Sequence, residues 1–315
     1  LRIELSPAVF ASPDSLIDIL TILREVYEGR HDWQVSPESA QAGISYLRRH
    51  AKEFADLFAE FSHKSLVEAA WRGPRAGSVV EVEPDRLREY ARDLCRPAQL
   101  VVEDEESDGN FLRAVFVAFS ASRLLLALEK DWLEIRHGGG GSLAKVAADA
   151  ATKFTTTVRV AALLDSDRLI PGQRTGSHVK ADHLQGLGVR VHVLTLREAE
   201  NYAPTRILAI VGQRAETYRR IGHLKKLSPE QRGHYDMKSG FRSAGGKGSV
   251  PAAQEVLYRD VGEATVRGLG EGFGKGILKA MREHAGSLTV EDFDKIGPGV
   301  ADELEMLMKV ILEVI

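Results

Sequence analysis

The stretch Val-Arg-Val-Ala-Ala-Leu-Leu-Asp-Ser-Asp-Arg, residues 158–168, decides the fold class. Residues 158–164 form the most β-like run in the chain, and the run ends in Asp165, Ser166 and Asp167. Outward from it, Gln-Leu-Val-Val at 99–102 is a second short strand, running straight into Glu103, Asp104, Glu105, Glu106 and Asp108. Residues 132–136 are a third candidate, ending in the glycines 138–141, and residues 189–194 a fourth. Helix-forming sequence fills 110–127, and a helix capped by Ser142 runs to Phe154. Strands alternating with helices at this spacing predict an α/β fold with a mostly parallel sheet.

The flanks read differently. Residues 14–27 carry Leu16, Ile19, Leu20, Leu23, Val26 and Tyr27 at helical spacing, with Ser12 as cap and Pro13 at the first helical position. Residues 36–63 follow with Ile44, Leu47, Phe54, Leu57, Phe58 and Phe61, and Pro84 opens a short helix over 85–94. Beyond Asn201 the pattern is again helical and irregular. Residues 240–248 and 262–276 are glycine-rich, and an amphipathic helix closes the chain over 299–315. The predicted division is a helical N-terminal region, 1–96, an α/β core, 97–205, and a basic, mostly helical C-terminal region, 206–315.

Composition bounds the function class. The 315 residues include 42 Lys+Arg, 45 Asp+Glu and 43% hydrophobic residues, the balance of a soluble globular chain. The single cysteine, Cys95, excludes an intramolecular disulfide and cysteine-rich zinc sites, and fits a reducing cytosol. No apolar run reaches the ~18 residues a membrane span needs, and no signal-peptide pattern is present. The sequence opens on Leu1 rather than Met, as expected of a trimmed chain.

In open α/β sheets, functional groups collect at the carboxyl ends of strands. Two predicted strands here end in carboxylates, and a third ends shortly before Arg197-Glu198-Ala199-Glu200-Asn201. If these strands are neighbours, four or more carboxylates converge on one edge, which is costly unless a cation neutralises them. Oxygen-only ligands suit Mg²⁺ or Mn²⁺ rather than zinc. A divalent metal held this way most often serves phosphoryl chemistry.

The succession Leu-Val-Val-Glu-Asp-Glu-Glu-Ser-Asp (100–108), Gly-Gly-Gly-Gly-Ser (138–142) and Leu-Leu-Asp-Ser-Asp-Arg (163–168) resembles a TOPRIM domain, the unit shared by topoisomerases, primases and OLD-type nucleases. Leu-Arg-Glu-Ala-Glu-Asn-Tyr (196–202) resembles the acidic segment of the OLD-type branch. The likeness covers about residues 98–205. It implies a Rossmann-like, mostly parallel sheet and metal-dependent cleavage of phosphodiesters. Carried over by residue, Glu103 is implied as metal ligand or general base, Asp165 and Asp167 as metal ligands, and Glu200 as an outer or second-metal carboxylate. His-Tyr-Asp-Met-Lys-Ser-Gly (234–240) offers Lys238 as the cation near the scissile phosphate. Two departures stand out. Asp104 replaces the usual Gly and Asp108 lies five positions after Glu103, leaving Glu105 and Glu106 as rival ligands. Leu169 stands where topoisomerases and primases carry a third acid, so simple cleavage fits better than strand passage or priming.

Other motifs read more plainly. Residues 268–276 are glycine-rich but fail the Walker pattern, with Leu269 and Gly276 at key positions, so a loop or helix-start role is expected. Residues 138–142 read as a turn approaching phosphate rather than a linker. The histidines are scattered, Cys95 suits packing, and Ser107 and Ser166 lack a nucleophile elbow.

The net charge of −3 hides two regions. Residues 195–282 hold 16 Lys+Arg and 9 Asp+Glu, against 26 and 36 elsewhere. Arg214, Arg219, Arg220, Lys225, Lys226, Arg242 and Lys247 are the expected nucleic-acid contacts, with Tyr218, Tyr235 and Phe241 interleaved for stacking. A solvated helical face with ordinary ion pairs is the competing reading.

The expectation is therefore a cytoplasmic Mg²⁺- or Mn²⁺-dependent endonuclease acting on DNA or RNA. The chain has no Walker motif of its own. By resemblance, a separate ABC-type ATPase partner and a role as toxic effector in anti-phage defence are implied, with self-association left open. The alternatives are a TOPRIM-like module that binds nucleic acid or a partner without cutting, and a HAD-like phosphatase, against which Leu169 and the late Asp-x-Asp both count.

Overall fold

The computed structural model describes residues 1–72, 79–212, 214–243 and 246–315. Residues 1–96, expected to be helical, also hold a three-stranded parallel sheet, with β1 (Arg2–Leu5) between β2 (Asp32–Trp33) and β3 (Val79–Val82). Around it pack α1 (Leu16–Tyr27), α2 (Pro37–His50), α3 (Lys52–Arg72) and α4 (Leu87–Cys95). Ser36 caps α2 by accepting from the Ser39 amide at 3.2 Å, and Ser12 accepts from the Asp14 amide at 3.3 Å. The single helix expected over 36–63 is two helices, because Ala51 (φ −156°, ψ 68°) leaves helical geometry. This unit buries its own apolar cluster, including Ile3, Leu5, Ile22, Leu47, Phe58 and Leu94.

The chain then enters the central sheet. In order come β4 (Ala98–Val102), α5 (Glu105–Ala118), α6 (Ser122–Glu129), β5 (Leu133–His137), α7 (Leu143–Ala151), β6 (Val160–Leu164), α8 (Gly176–Gly186) and β7 (Arg190–Val193). All four strands are parallel, in the order β5-β4-β6-β7. Every residue of β4 and β6 is buried, and alternate residues serve opposite faces. Leu100, Val102, Ala161 and Leu163 join one apolar cluster, while Val101, Val160, Ala162 and Leu164 join another with α7 and α8. Burying each Val or Leu contributes about 1.5–3 kcal/mol, which is why these strands sit at the centre. The chain leaves β4 for β5 on one side, then crosses to β6 on the other. The carboxyl ends of β4 and β6 thus flank a topological switch point, where open α/β sheets place their ligands.

The C-terminal part covers the first of these faces. After a 3-10 turn at Ala199–Tyr202 come α9 (Thr205–Leu208), α10 (Arg214–Leu224) and α11 (Pro229–His234). A short hairpin, β8 (Arg242–Ser243) and β9 (Gly246–Lys247), precedes α12 (Glu263–Gly268), α13 (Ile277–Glu283), α14 (Val290–Asp294) and α15 (Val300–Leu312). Tyr235, Phe241, Leu278, Phe293 and Leu304 share one cluster with Phe111 and Phe116 of α5, so residues 206–315 pack as part of the core. Arg159, fully buried, donates to the carbonyls of Leu94 (2.9 Å), Arg96 (2.7 Å) and Val314 (2.9 Å), tying all three regions together. No helix among the described residues is long and apolar enough to cross a membrane.

Candidate active site

The edge of the sheet is shaped first by glycine. The Gly138 and Gly139 amides donate to the carbonyls of Val102 (2.7 Å) and Glu103 (3.0 Å), pinning the turn after β5 against the end of β4. A Cβ at Gly138 would stand 2.9 Å from the Val102 carbonyl, and Gly139 has φ +62°, so both positions require glycine. Glu103 is exposed and leans over Gly140, its Oε1 3.2 Å from where a Cβ would be. The turn is a close approach to Glu103 rather than a linker.

The acidic run divides its labour. Asp104 caps α5, accepting from the Glu106 amide at 3.0 Å and the Ser107 hydroxyl at 3.2 Å. Glu105 and Glu106 are exposed in the first turn of α5. Asp108, one turn on, is half-buried and accepts from the Asp104 amide at 2.9 Å. Desolvation, reinforced by the charges of Glu200, Glu103 and Asp104, pushes its carboxyl up to about 6.

Asp165 ends β6 and accepts from the Ala199 amide at 3.0 Å. Burial raises its carboxyl well above the ordinary range, the charges of Asp108, Glu200 and Glu198 raise it further, and Lys238 opposes them. Asp167 is exposed in the left-handed region (φ 54°), which Asp tolerates better than most residues. Its amide donates to the Arg197 carbonyl at 3.0 Å, and the Ser177 hydroxyl donates to its carboxylate at 3.4 Å. The buried Ser166 hydroxyl donates to the Leu196 carbonyl at 2.7 Å, holding the loop rather than offering a nucleophile.

The third acidic segment arrives with a cation. Glu198 and Glu200 are 9% and 5% exposed, and Lys238 Nζ stands 3.1 Å from Glu198 Oε2 and 3.3 Å from Glu200 Oε1. Burial raises the Glu200 carboxyl despite the lysine. Burial opposes the Lys238 ammonium, but Glu200 and Glu198 outweigh it and hold the amine above its ordinary value. Asn201, fully buried, accepts from the Glu198 amide (3.1 Å) and donates to the carbonyls of Arg232 (3.0 Å) and Tyr235 (2.9 Å). It therefore fixes the acidic turn to the segment that carries Lys238. Arg197 pairs with Asp236 at 3.3 Å across the same gap. Residues 268–276 close on this segment from behind. A Cβ at Gly272 would lie 2.3 Å from the Lys238 carbonyl, and the Phe273 amide donates to the Met237 carbonyl at 2.7 Å. Backbone packing is thus a structural reason for glycines here.

The structure brings Asp165, Glu200 and Lys238 together as the sequence suggested, with Glu103 acting electrostatically on Asp108 beside them. Asp108 and Glu198 are the residues that sequence reasoning left unassigned. The signal for Asp108 lay in helix geometry: it is four residues after the Asp104 cap, on the same face of α5. Among the described residues, no group of three or more His, Cys, Asp or Glu side chains is poised as a metal set. The donors are nevertheless all oxygen, and the mutual repulsion centred on half-buried Asp165 is the kind a divalent cation relieves.

The basic surface is only partly as expected. Arg219, Lys225, Lys226 and Arg242 are exposed, and Lys247 pairs with Glu271 at 2.6 Å. Arg220 lies 3.6 Å from Glu271 and over the Phe273 ring. Arg214 opens α10, but its side chain lies outside the described residues. Tyr235 and Phe241 correct the expectation of stacking platforms: they are 0% and 2% exposed and pack on each other in the core, leaving Tyr218 exposed. Comparison with protein-family models, with curated proteins and with solved structures returns no match.

Proposed function

We propose that the chain is a metal-dependent nuclease with a TOPRIM-like core, hydrolysing phosphodiesters of DNA or RNA. The observation that carries the reading is the desolvated Asp165 carboxylate at the switch point of a parallel sheet, raised by the charges of Asp108, Glu198 and Glu200 from two other chain segments. Asp108, Asp165 and Glu200, with Glu103 beside them, would hold Mg²⁺ or Mn²⁺. Such an ion supplies an activated water and screens phosphate charge. Lys238 places an ammonium where it meets charge developing on phosphate oxygens. The exposed Arg219, Lys226 and Arg242 supply backbone contacts whose affinity falls with salt. By resemblance alone, the protein is a cytoplasmic defence effector held by a separate ABC-type ATPase, with α1–α4 or α15 as docking elements.

One observation favours a second reading, a TOPRIM-like module that binds without cutting: Lys238 already gives Glu198 and Glu200 a cation. Cleavage assays with Mg²⁺ or Mn²⁺ separate the two. The nuclease reading expects wild type to cut and Glu103→Gln combined with Asp165→Asn to be inactive. Equal cutting by both chains would show that the assigned site is wrong. Absence of cutting in every metal, with the genomic neighbour added, would leave the binding module.

A further inference from the structure

A cavity of about 440 Å³ lies behind the acidic turn, away from the carboxylates. Its walls carry Arg206, Lys225, Arg232 and Lys295 against a single carboxylate, Asp292. That carboxylate is already committed, since Arg206 pairs with it at 3.0 Å. Among the described residues Lys225 and Lys295 have no ion-pair partner, and both are exposed. Arg232 is the unusual member. It is 8% exposed, one guanidinium nitrogen donates to the Ala203 carbonyl at 2.8 Å, and its Nε has no hydrogen-bond partner. Burial lowers its pKa to about 10, and no carboxylate offsets that burial. A buried guanidinium without a counter-charge is costly to keep. Arg is also the side chain best suited to a phosphate group.

We propose that this cavity binds a small phosphorylated molecule, its phosphate seated by Arg232, Lys225 and Lys295 and its organic part against Leu224 and Ile296. The volume is that of a small-molecule site, and the apolar wall distinguishes it from a purely ionic surface patch. A nucleic-acid strand would engage exposed cations, whereas the central cation here is recessed. The site has a structural link to the acidic edge. The Arg232 carbonyl accepts from Asn201, and its guanidinium holds the Ala203 carbonyl, so the middle and the C-terminal end of the 199–203 turn rest on this residue. The binding proposal itself holds whether or not the carboxylates cut nucleic acid.

The test is calorimetric titration of the full chain at low salt with 5′-AMP, inorganic pyrophosphate and adenosine. Saturable binding of at least one of the two anions is expected, with adenosine at least about tenfold weaker. AMP is expected to bind more tightly than pyrophosphate, because only AMP carries an organic part for Leu224 and Ile296; tighter binding of pyrophosphate overturns that part of the proposal. Because Arg232 variants risk misfolding, the decisive chain is Lys225→Ala with Lys295→Ala, both surface positions. It should keep the wild-type melting temperature and bind the anion at least about tenfold more weakly. The proposal is overturned if neither anion binds, if adenosine matches AMP, or if the double variant binds as wild type does. It is equally overturned if a short single-stranded oligonucleotide displaces the anion while binding more tightly than either probe.

Discussion

Replacing Asp108 by Asn should stabilise the metal-free protein at neutral pH and above. The carboxyl titrates near 3.8 in the unfolded chain and at about 6 in the fold, because it is desolvated and faces Glu200, Glu103 and Asp104. Between those values the folded state holds the proton that the unfolded chain has lost, so stability falls as pH rises. Below about pH 4 the penalty is absent, and above about pH 6 it is complete. At 1.36 kcal/mol per unit the shift is worth roughly 3 kcal/mol, an upper figure for a half-buried group. Asn cannot ionise, and its carbonyl oxygen can still accept from the Asp104 amide. Unfolding entropy for 315 residues is roughly 0.7 kcal/mol/K, so the melting temperature should rise by up to about 4 °C at pH 8. Scanning calorimetry in chelator between pH 4 and 8 measures the difference, which should vanish at the acid end. A gain that persists at pH 4, or no gain at pH 8, would refute the electrostatic account of this edge.

Gly272→Ala forces a Cβ to 2.3 Å from the Lys238 carbonyl, a backbone clash that costs about 1–3 kcal/mol. Gly141→Ala, with open space around it, should melt like wild type in the same scan. Lys238→Met leaves Glu200 without its cation, while Glu198 keeps Arg197 at 3.2 Å, and should destabilise by about 1–3 kcal/mol at pH 8, the half-open lysine favouring the lower end. Urea titrations at pH 8 and pH 4 should show that deficit shrinking as the raised Glu200 carboxyl takes up its proton. Asn201→Ala leaves the Tyr235 carbonyl and the Glu198 amide without the partner they have in Asn201, the Arg232 carbonyl keeping the Tyr235 amide at 3.4 Å, and should cost about 1–3 kcal/mol for each group left unpaired. If urea unfolding finds this chain as stable as wild type, the tie between the acidic turn and the Lys238 segment is not as described.

The central strands were legible because β4 and β6 are buried on both faces and read as unbroken apolar runs. The N-terminal sheet was not. Its middle strand alternates charged Arg2 and Glu4 with apolar Ile3 and Leu5, and one neighbour is only the pair Asp32–Trp33. Against that, the long stripes of α1–α3 dominate any periodicity. At the site, Asp165 and Glu200 could be read from their positions after strands. Asp108 was missed because its place depends on where α5 begins, and the Asp104 cap sets that start at Glu105 rather than at Asn110. Aromatic spacing misled at Tyr235 and Phe241, whose interleaving with basic residues reflects a buried face beneath a charged one. Residues 268–276 were expected to be a loop or helix start, but their contact with the backbone of Lys238 is a long-range fact that local pattern cannot carry.

The most direct test of the central claim is the single-turnover cleavage rate on single-stranded DNA, duplex DNA and tRNA as Mn²⁺ is raised from zero. The account predicts a rate that saturates with Mn²⁺ for wild type on at least one substrate. It predicts a loss of about a hundredfold or more in both Asp165→Asn and Glu200→Gln. Wild-type rates in both variants, or a wild-type rate that persists in chelator, would contradict it.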